Sequence, residues 1–273
     1  GGPAIVVRRP LENVARNRSS HYNRYRSGYE TGTQEELQRE GFSPRLIENP
    51  DASLELGEEL AWYKRRLVDD EGADYVDQIE QAINNSAELQ QTPGNVDFVA
   101  TIPVAAASES DNIYNTLRLL ARQDDSDVER SLVLLNVNWL DEARHDPEKA
   151  TNILKTMAEI DRARRDFPNL RIATIEREYN RTAVESTGGV IGYVARDLQS
   201  AALLWLLQQI ETGKRSPGND ALVQRYDADT KGMSRHAWRD IRHAVDKYPE
   251  TDIFKGVTRI GTNKYSDYPG FGI

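Results

Sequence analysis

Asp227 and Asp229 stand one residue apart, directly after the apolar run Ala221-Leu-Val-Gln-Arg-Tyr226. Carboxylates are hard oxygen ligands suited to Mg²⁺ or Mn²⁺, and a strand ending in such a pair carries them on a rigid element into the crevice beyond a sheet. A cation held there could neutralise a nucleotide diphosphate. The same spacing recurs in Asp125-Ser-Asp127, but that copy follows a helical pattern and is expected in a polar loop, so context rather than spacing separates the two. His236 and His243 follow on an expected helix. Seven residues apart they share a face, and His243 lies about 10 Å further along the axis, far from the strand end.

The composition narrows what such a site could serve. The 273 residues include 44 Asp and Glu against 35 Lys and Arg, for a net charge of −9, with no cysteine. Disulfides, thiolate metal sites and a cysteine nucleophile are therefore excluded, and any metal must rest on oxygen or histidine ligands. An acidic chain has no broad basic face for duplex nucleic acid, so a nucleic-acid partner is not expected. No stretch approaches the roughly 20 apolar residues that cross a bilayer. The first residues also lack the pattern of a signal peptide, and the default expectation is a cytoplasmic protein.

The elements that must position the carboxylates begin after Gln91-Thr-Pro-Gly-Asn95, where a Pro-Gly turn signal divides the chain. Residues 1–95 read as an N-terminal arm and helical extension. The arm, to about residue 52, is rich in Arg, Asn, Ser and Tyr and suggests loops. Helices follow over 53–71 and 73–91, with stripes of Leu56, Leu60, Tyr63 and Leu67, then Tyr75, Ile79 and Ile83. Residues 96–273 alternate strand and helix, as a parallel sheet with helical crossovers requires. Strands are expected over 96–104, 131–137, 170–175, 221–226 and 252–260, and helices over 108–120, 147–167, 194–210 and 234–248, the second opened by Asp146-Pro147.

Three segments in this order resemble the glycosyltransferases of the GT-A fold, family 2 type. Thr101-Ile-Pro-Val104, Glu109 and Asn112-Ile-Tyr-Asn-Thr-Leu-Arg-Leu-Leu120 resemble that family's opening strand and helix; Gly188-Gly-Val-Ile-Gly-Tyr-Val-Ala-Arg196 looks like its glycine-and-arginine segment; Tyr226-Asp-Ala-Asp-Thr230 is similar to its D-x-D strand end. Together they span about half the chain. The resemblance implies an α/β fold of GT-A type, a mostly parallel sheet flanked by helices, and a donor that is a nucleotide-diphosphate sugar.

It also implies roles residue by residue. Asp229 would be the more direct metal ligand, and Asp227 would hold the ribose or the metal. Pro103 and Glu109 would line the nucleoside pocket, Asn138 would take the place of an Asp near the base, and Gly188, Gly189 and Gly192 would let the backbone approach the donor. Arg196 would pair with phosphate or with an acidic neighbour. The chain departs from the pattern at Val104-Ala-Ala-Ala-Ser108, where the family has an aromatic-Asn-Glu turn. The family's chain also continues past the D-x-D strand to the catalytic base, whereas here only a short stretch runs to Ile273, with Asp252 and Asp267 among its carboxylates. The base stays unassigned. The acceptor half is read as truncated, or as replaced by the N-terminal helices.

The expectation is metal-dependent transfer of a sugar to an unknown hydroxyl acceptor with inversion. Two alternatives remain. A nucleotidyltransferase would call for a Gly-rich basic loop after the first strand, where Val104–Ser108 has neither Gly nor Lys. A noncatalytic nucleotide-sugar-binding or scaffold protein of the same fold would bind without turnover.

Overall fold

The computed structural model describes residues 3–7, 56–181, 190–247 and 253–255. In chain order the elements are β1 (Pro3–Val7), α1 (Leu56–Glu71), α2 (Ala73–Asn85), α3 (Ala87–Gln91), β2 (Phe98–Ala105), α4 (Ile113–Leu120), α5 (Asp125–Glu129), β3 (Ser131–Leu140), α6 (Pro147–Asp166), β4 (Ile172–Tyr179), α7 (Val190–Glu211), β5 (Ala221–Arg225), α8 (Ala237–Lys247) and β6 (Ile253–Lys255). Leu56, Leu60 and Leu67 of the expected stripe are buried on α1, as are Val76, Ile79 and Ile83 on α2.

The strands form one sheet in the order β4-β3-β2-β5-β1-β6. β4, β3, β2 and β5 are mutually parallel, while β1 runs antiparallel to both β5 and β6. The result is a four-stranded parallel α/β sheet flanked by helices, a Rossmann-like arrangement, with an antiparallel margin. A parallel strand covered on both faces has no polar side to present to water. β3, Ser-Leu-Val-Leu-Leu-Asn-Val-Asn-Trp-Leu, meets that condition, being buried at every position but its last.

Each face of the sheet carries its own core. On one, Phe98, Ile102, Val104, Leu135 and Val137 pack against Ile113, Leu117 and Leu120 of α4, Ile160 of α6 and Trp238 of α8. On the other, Val99, Leu134, Ile175 and Val223 pack beneath α7, and the same cluster takes in Leu60, Ile79, Ile83 and Leu89 from α1, α2 and α3. α7 is apolar on all sides over Ala201–Leu207, as a helix enclosed between a sheet and other helices must be. Trp205, read from sequence as core, is 1 % exposed. The helical extension before Gln91 thus forms the outer layer over α7.

Two local expectations are corrected. Pro3–Val7, part of an arm read as loops, pairs with β5 in the register Ala4↔Gln224 to Val7↔Ala221, because its β-branched run fits the exposed edge of that strand. Asp125 begins the one-turn helix α5 rather than lying in a loop. The remainder of the arm lies outside the described residues, as do Gly188, Gly189, Asp252 and Asp267. Among the described residues, no helix is long and apolar enough to cross a membrane.

Candidate functional site

The strand order fixes where a ligand can enter. From β2 the chain moves outward through β3 to β4 on one side, and α7 then returns it to β5 on the other side of β2. The carboxyl ends of β2 and β5 flank this reversal, the crevice where open parallel sheets bind ligands, and the loops leaving them lead to α4 and α8 on one face of the sheet. Asp227 and Asp229 follow the last residue of β5 and stand at that crevice. Both side chains are exposed, while Tyr226 and Ala228 are buried.

Packing holds this strand end in place. Tyr226 donates its backbone N–H to the Thr101 carbonyl of β2 at 2.9 Å. Its phenol, pushed up by burial, accepts from Trp238 Nε1 at 2.9 Å, and Trp238 packs on Phe98 with ring centroids 4.9 Å apart. The buried Thr116 hydroxyl on α4 donates to the Ala228 carbonyl, between the two carboxylates, at 2.6 Å. Thr230 closes the turn by donating its hydroxyl to the Asp227 carbonyl at 2.7 Å. Among the described residues, the cation paired with Asp227 is Arg225, at 4.0 Å. Asp229 makes no ion pair among the described residues.

Beside Asp229 lies a pocket of about 240 Å³ lined by Asn112, Asn115, Arg118, Leu119, Thr230 and Lys231. Lys231 Nζ donates to Asn112 Oδ1 at 3.0 Å, and Asn112 Nδ2 donates to Glu109 Oε2, also at 3.0 Å. Glu109, expected to line the nucleoside pocket, is thereby joined through one amide to the loop bearing the carboxylates. The sequence reading passed over Arg118 and Lys231, since a lone cation on a helix or in a loop carries no pattern of its own.

The remaining expected residues divide. Pro103 is half-buried in the crevice half of β2. Asn138 lies on β3 opposite Ala105, but its amide donates to the Val104 carbonyl at 2.9 Å and to the Asn136 carbonyl at 3.0 Å, so it braces the two strands. Gly192 is exposed, and nothing lies within 4 Å of where a Cβ would stand, so no close approach within the chain requires a glycine there. Arg196 pairs with Glu71 of α1 at 2.7 Å and lies over the rings of Tyr75 and Tyr193, which is the acidic-neighbour alternative. His236 contacts Asp124 at 2.8 Å and is not among the residues that line the pocket beside Asp229. The histidine is thus engaged by Asp124.

Sequence reasoning also missed a buried network behind the sheet. Asp197 of α7, 1 % exposed, accepts from the hydroxyls of Tyr75 (2.9 Å) and Tyr179 (2.8 Å) and from Arg177 Nη2 (3.3 Å). Burial, and then the Asp197 charge, push both phenols above their ordinary range. Asn136 donates to the Tyr179 hydroxyl at 3.1 Å, and Tyr63 shares a hydrogen bond with Ser200 at 3.0 Å. The available signal was a carboxylate within an apolar helix, since Asp is rarely buried unless paired.

Two carboxylates with room around them suit a hard divalent cation, which takes one or two protein carboxylates and completes its shell with water and phosphate oxygens. No group of three His, Asp or Glu side chains suited to a metal is found among the described residues, so Asp227 and Asp229 would be its protein ligands. Comparison of the chain with protein-family models, curated proteins and solved structures returned no match.

Proposed function

We propose that this chain is a cytoplasmic glycosyltransferase of GT-A type, moving a sugar from a nucleotide-diphosphate donor to a hydroxyl acceptor with inversion. The observation that carries the reading is the position of the paired carboxylates. Asp227 and Asp229 are exposed and follow directly on β5, beside β2, where the strand order reverses. Three segments that resemble the family occur in order along the sequence.

The chemistry asks little more of such a pair. The acceptor oxygen bonds to the anomeric carbon as the bond to the diphosphate oxygen breaks, and negative charge accumulates on the leaving group. A divalent cation held by Asp227 and Asp229 would supply charge neutralisation there, most strongly in the transition state. Thr116 and Tyr226 keep the strand end rigid, so the site is organised before the donor arrives. The acceptor's proton would pass to a base that is not assigned.

Retention of the fold as a nucleotide-sugar binder without turnover is a second reading. It is favoured by Asn138 and Arg196, whose polar groups are already engaged inside the protein. A nucleotidyltransferase is less supported, because the residues after β2 supply neither Gly nor Lys.

Calorimetric titration of UDP, GDP and their sugar conjugates, with and without Mn²⁺, tests the proposal on the wild type and Asp229→Ala. Metal-dependent binding lost in the variant, followed by donor hydrolysis or transfer, supports the transferase. Binding without turnover supports the second reading, and a folded protein that binds no nucleotide overturns both.

A further inference from the structure

We propose that the pocket between α4 and the residues after Asp229 is a phosphate subsite, with Arg118 and Lys231 as its cations. In a chain with a net charge of −9, both side chains face one pocket and neither forms an ion pair among the described residues. Most other described arginines have a carboxylate partner, such as Arg66 on Asp70, Arg164 on Asp161 and Arg242 on Asp97.

The pocket is also organised. Lys231 is held by Asn112, and the loop that carries it is tied to the same helix by the Thr116 hydroxyl. Asn112 and Asn115 add amide donors to the two cations, the donor set that a tetrahedral oxyanion accepts. A pocket of about 240 Å³ is below the usual range for a whole drug-sized ligand and suits one charged end of a larger one. Asp229 on its rim adds one negative charge, which a bound divalent cation would reverse.

This deepens the donor-site reading, but phosphate binding by Arg118 and Lys231 does not require that reading to hold. The phosphate has two possible sources: the diphosphate of the donor, or a phosphate group carried by the acceptor.

The test titrates inorganic phosphate and pyrophosphate, without metal, into the wild type, Arg118→Gln/Lys231→Gln and Asp229→Asn. The double variant should bind at least about tenfold more weakly, the equivalent of losing one charge-assisted hydrogen bond. Asp229→Asn, which removes a like charge, should bind metal-free phosphate more tightly. With Mn²⁺ present the order for Asp229→Asn should invert if the D-x-D reading is right. If it does not invert, the donor reading fails while the phosphate subsite stands. A second arm repeats the phosphate titration on protein saturated with UDP: loss of phosphate binding assigns the subsite to the donor diphosphate, and retention assigns it to a phosphorylated acceptor. A wild type that binds neither anion, or a folded double variant within twofold of wild type for both, overturns the proposal.

Discussion

Replacing Thr116 with Val isolates the contact that ties α4 to the carboxylate loop. Val has nearly the shape of Thr but no hydroxyl. Thr116 is fully buried and Ala228 is 4 % exposed, so the Ala228 carbonyl would lose its 2.6 Å donor where water has little access. A buried acceptor left without a partner costs about 1–3 kcal/mol. The deleted hydroxyl is itself buried, and removing its own desolvation cost offsets part of that loss, which places the expected value near the lower end, about 1.5 kcal/mol. Urea unfolding at constant m value measures it.

The same carbonyl lies between Asp227 and Asp229, so the loss should reach the cation. If most of the 1.5 kcal/mol goes into loosening the loop, Mn²⁺ affinity falls by about tenfold. Thr116→Ser separates packing from hydrogen bonding. It loses a methyl group, at about 1 kcal/mol of stability, yet keeps the donor and should keep the cation affinity. A Thr116→Val protein within about 0.5 kcal/mol of wild type, the range of an ordinary surface change, would refute the tether. Equal Mn²⁺ affinity in the Val and Ser variants would refute its link to the site.

Asp197→Ala should cost about 3 kcal/mol or more by urea unfolding, since it strands Arg177 and two phenols around a buried vacancy; a loss under about 1 kcal/mol would show that the network is not held by the carboxylate. Stability should fall in acid. Asp111, Asp124 and Glu142 are held below the ordinary carboxylate range by hydrogen bonds from Lys155, His236 and Arg181, and Asp146 by the backbone amides that it caps. A lowered folded-state value means that the unfolded chain binds protons first, so this stability is complete above about pH 5 and is lost as pH drops below about 4. Thermal unfolding over that range checks the sign, and a melting temperature that rises on acidification would contradict it.

Legibility in the sequence followed the distance over which each feature is decided. β3 and the opening of α6 are local matters: the apolar run Leu132–Leu135, resumed at Val137, marks the first. Asp146 before Pro147 marks the second, and its side chain accepts from the Glu148 and Lys149 amides at 3.0 and 3.2 Å. β1 was not legible, because Pro3–Val7 is a short run in a polar surrounding and its partner, β5, lies more than 200 residues away. The same holds for the candidate site. Asp227 and Asp229 announce themselves by local context, whereas Lys231 and Arg118 acquire a common purpose only when Thr116 brings the loop onto α4. Asn138 shows the converse: its position beside the crevice follows from the strand, but its engagement with the Val104 carbonyl depends on a neighbouring strand.

The two D-x-D copies show how backbone geometry, and not residue type, makes one of them a candidate site. On a helix, residues two apart point about 200° away from each other. Asp125 and Asp127 lie on α5, and accordingly Asp125 is exposed while Asp127 is buried, its carboxylate 3.0 Å from Arg242 Nε. That copy cannot present two carboxylates to one ligand. Asp227–Thr230 instead forms a turn past the strand, closed by the Thr230 amide donating to the Asp227 carbonyl at 3.2 Å. Asp227 and Asp229 leave the end of β5 with Ala228 buried between them, and both remain open to the crevice. The pair is also spared internal neutralisation, with Arg225 no closer than 4.0 Å to Asp227. Mutual repulsion between such carboxylates is relieved by a bound cation, so metal should raise the melting temperature of the wild type and leave that of Asp227→Asn/Asp229→Asn unchanged. If the double variant, free of that repulsion, still gains as much from Mn²⁺ as the wild type, the ion binds elsewhere and the strand end is only a strand end.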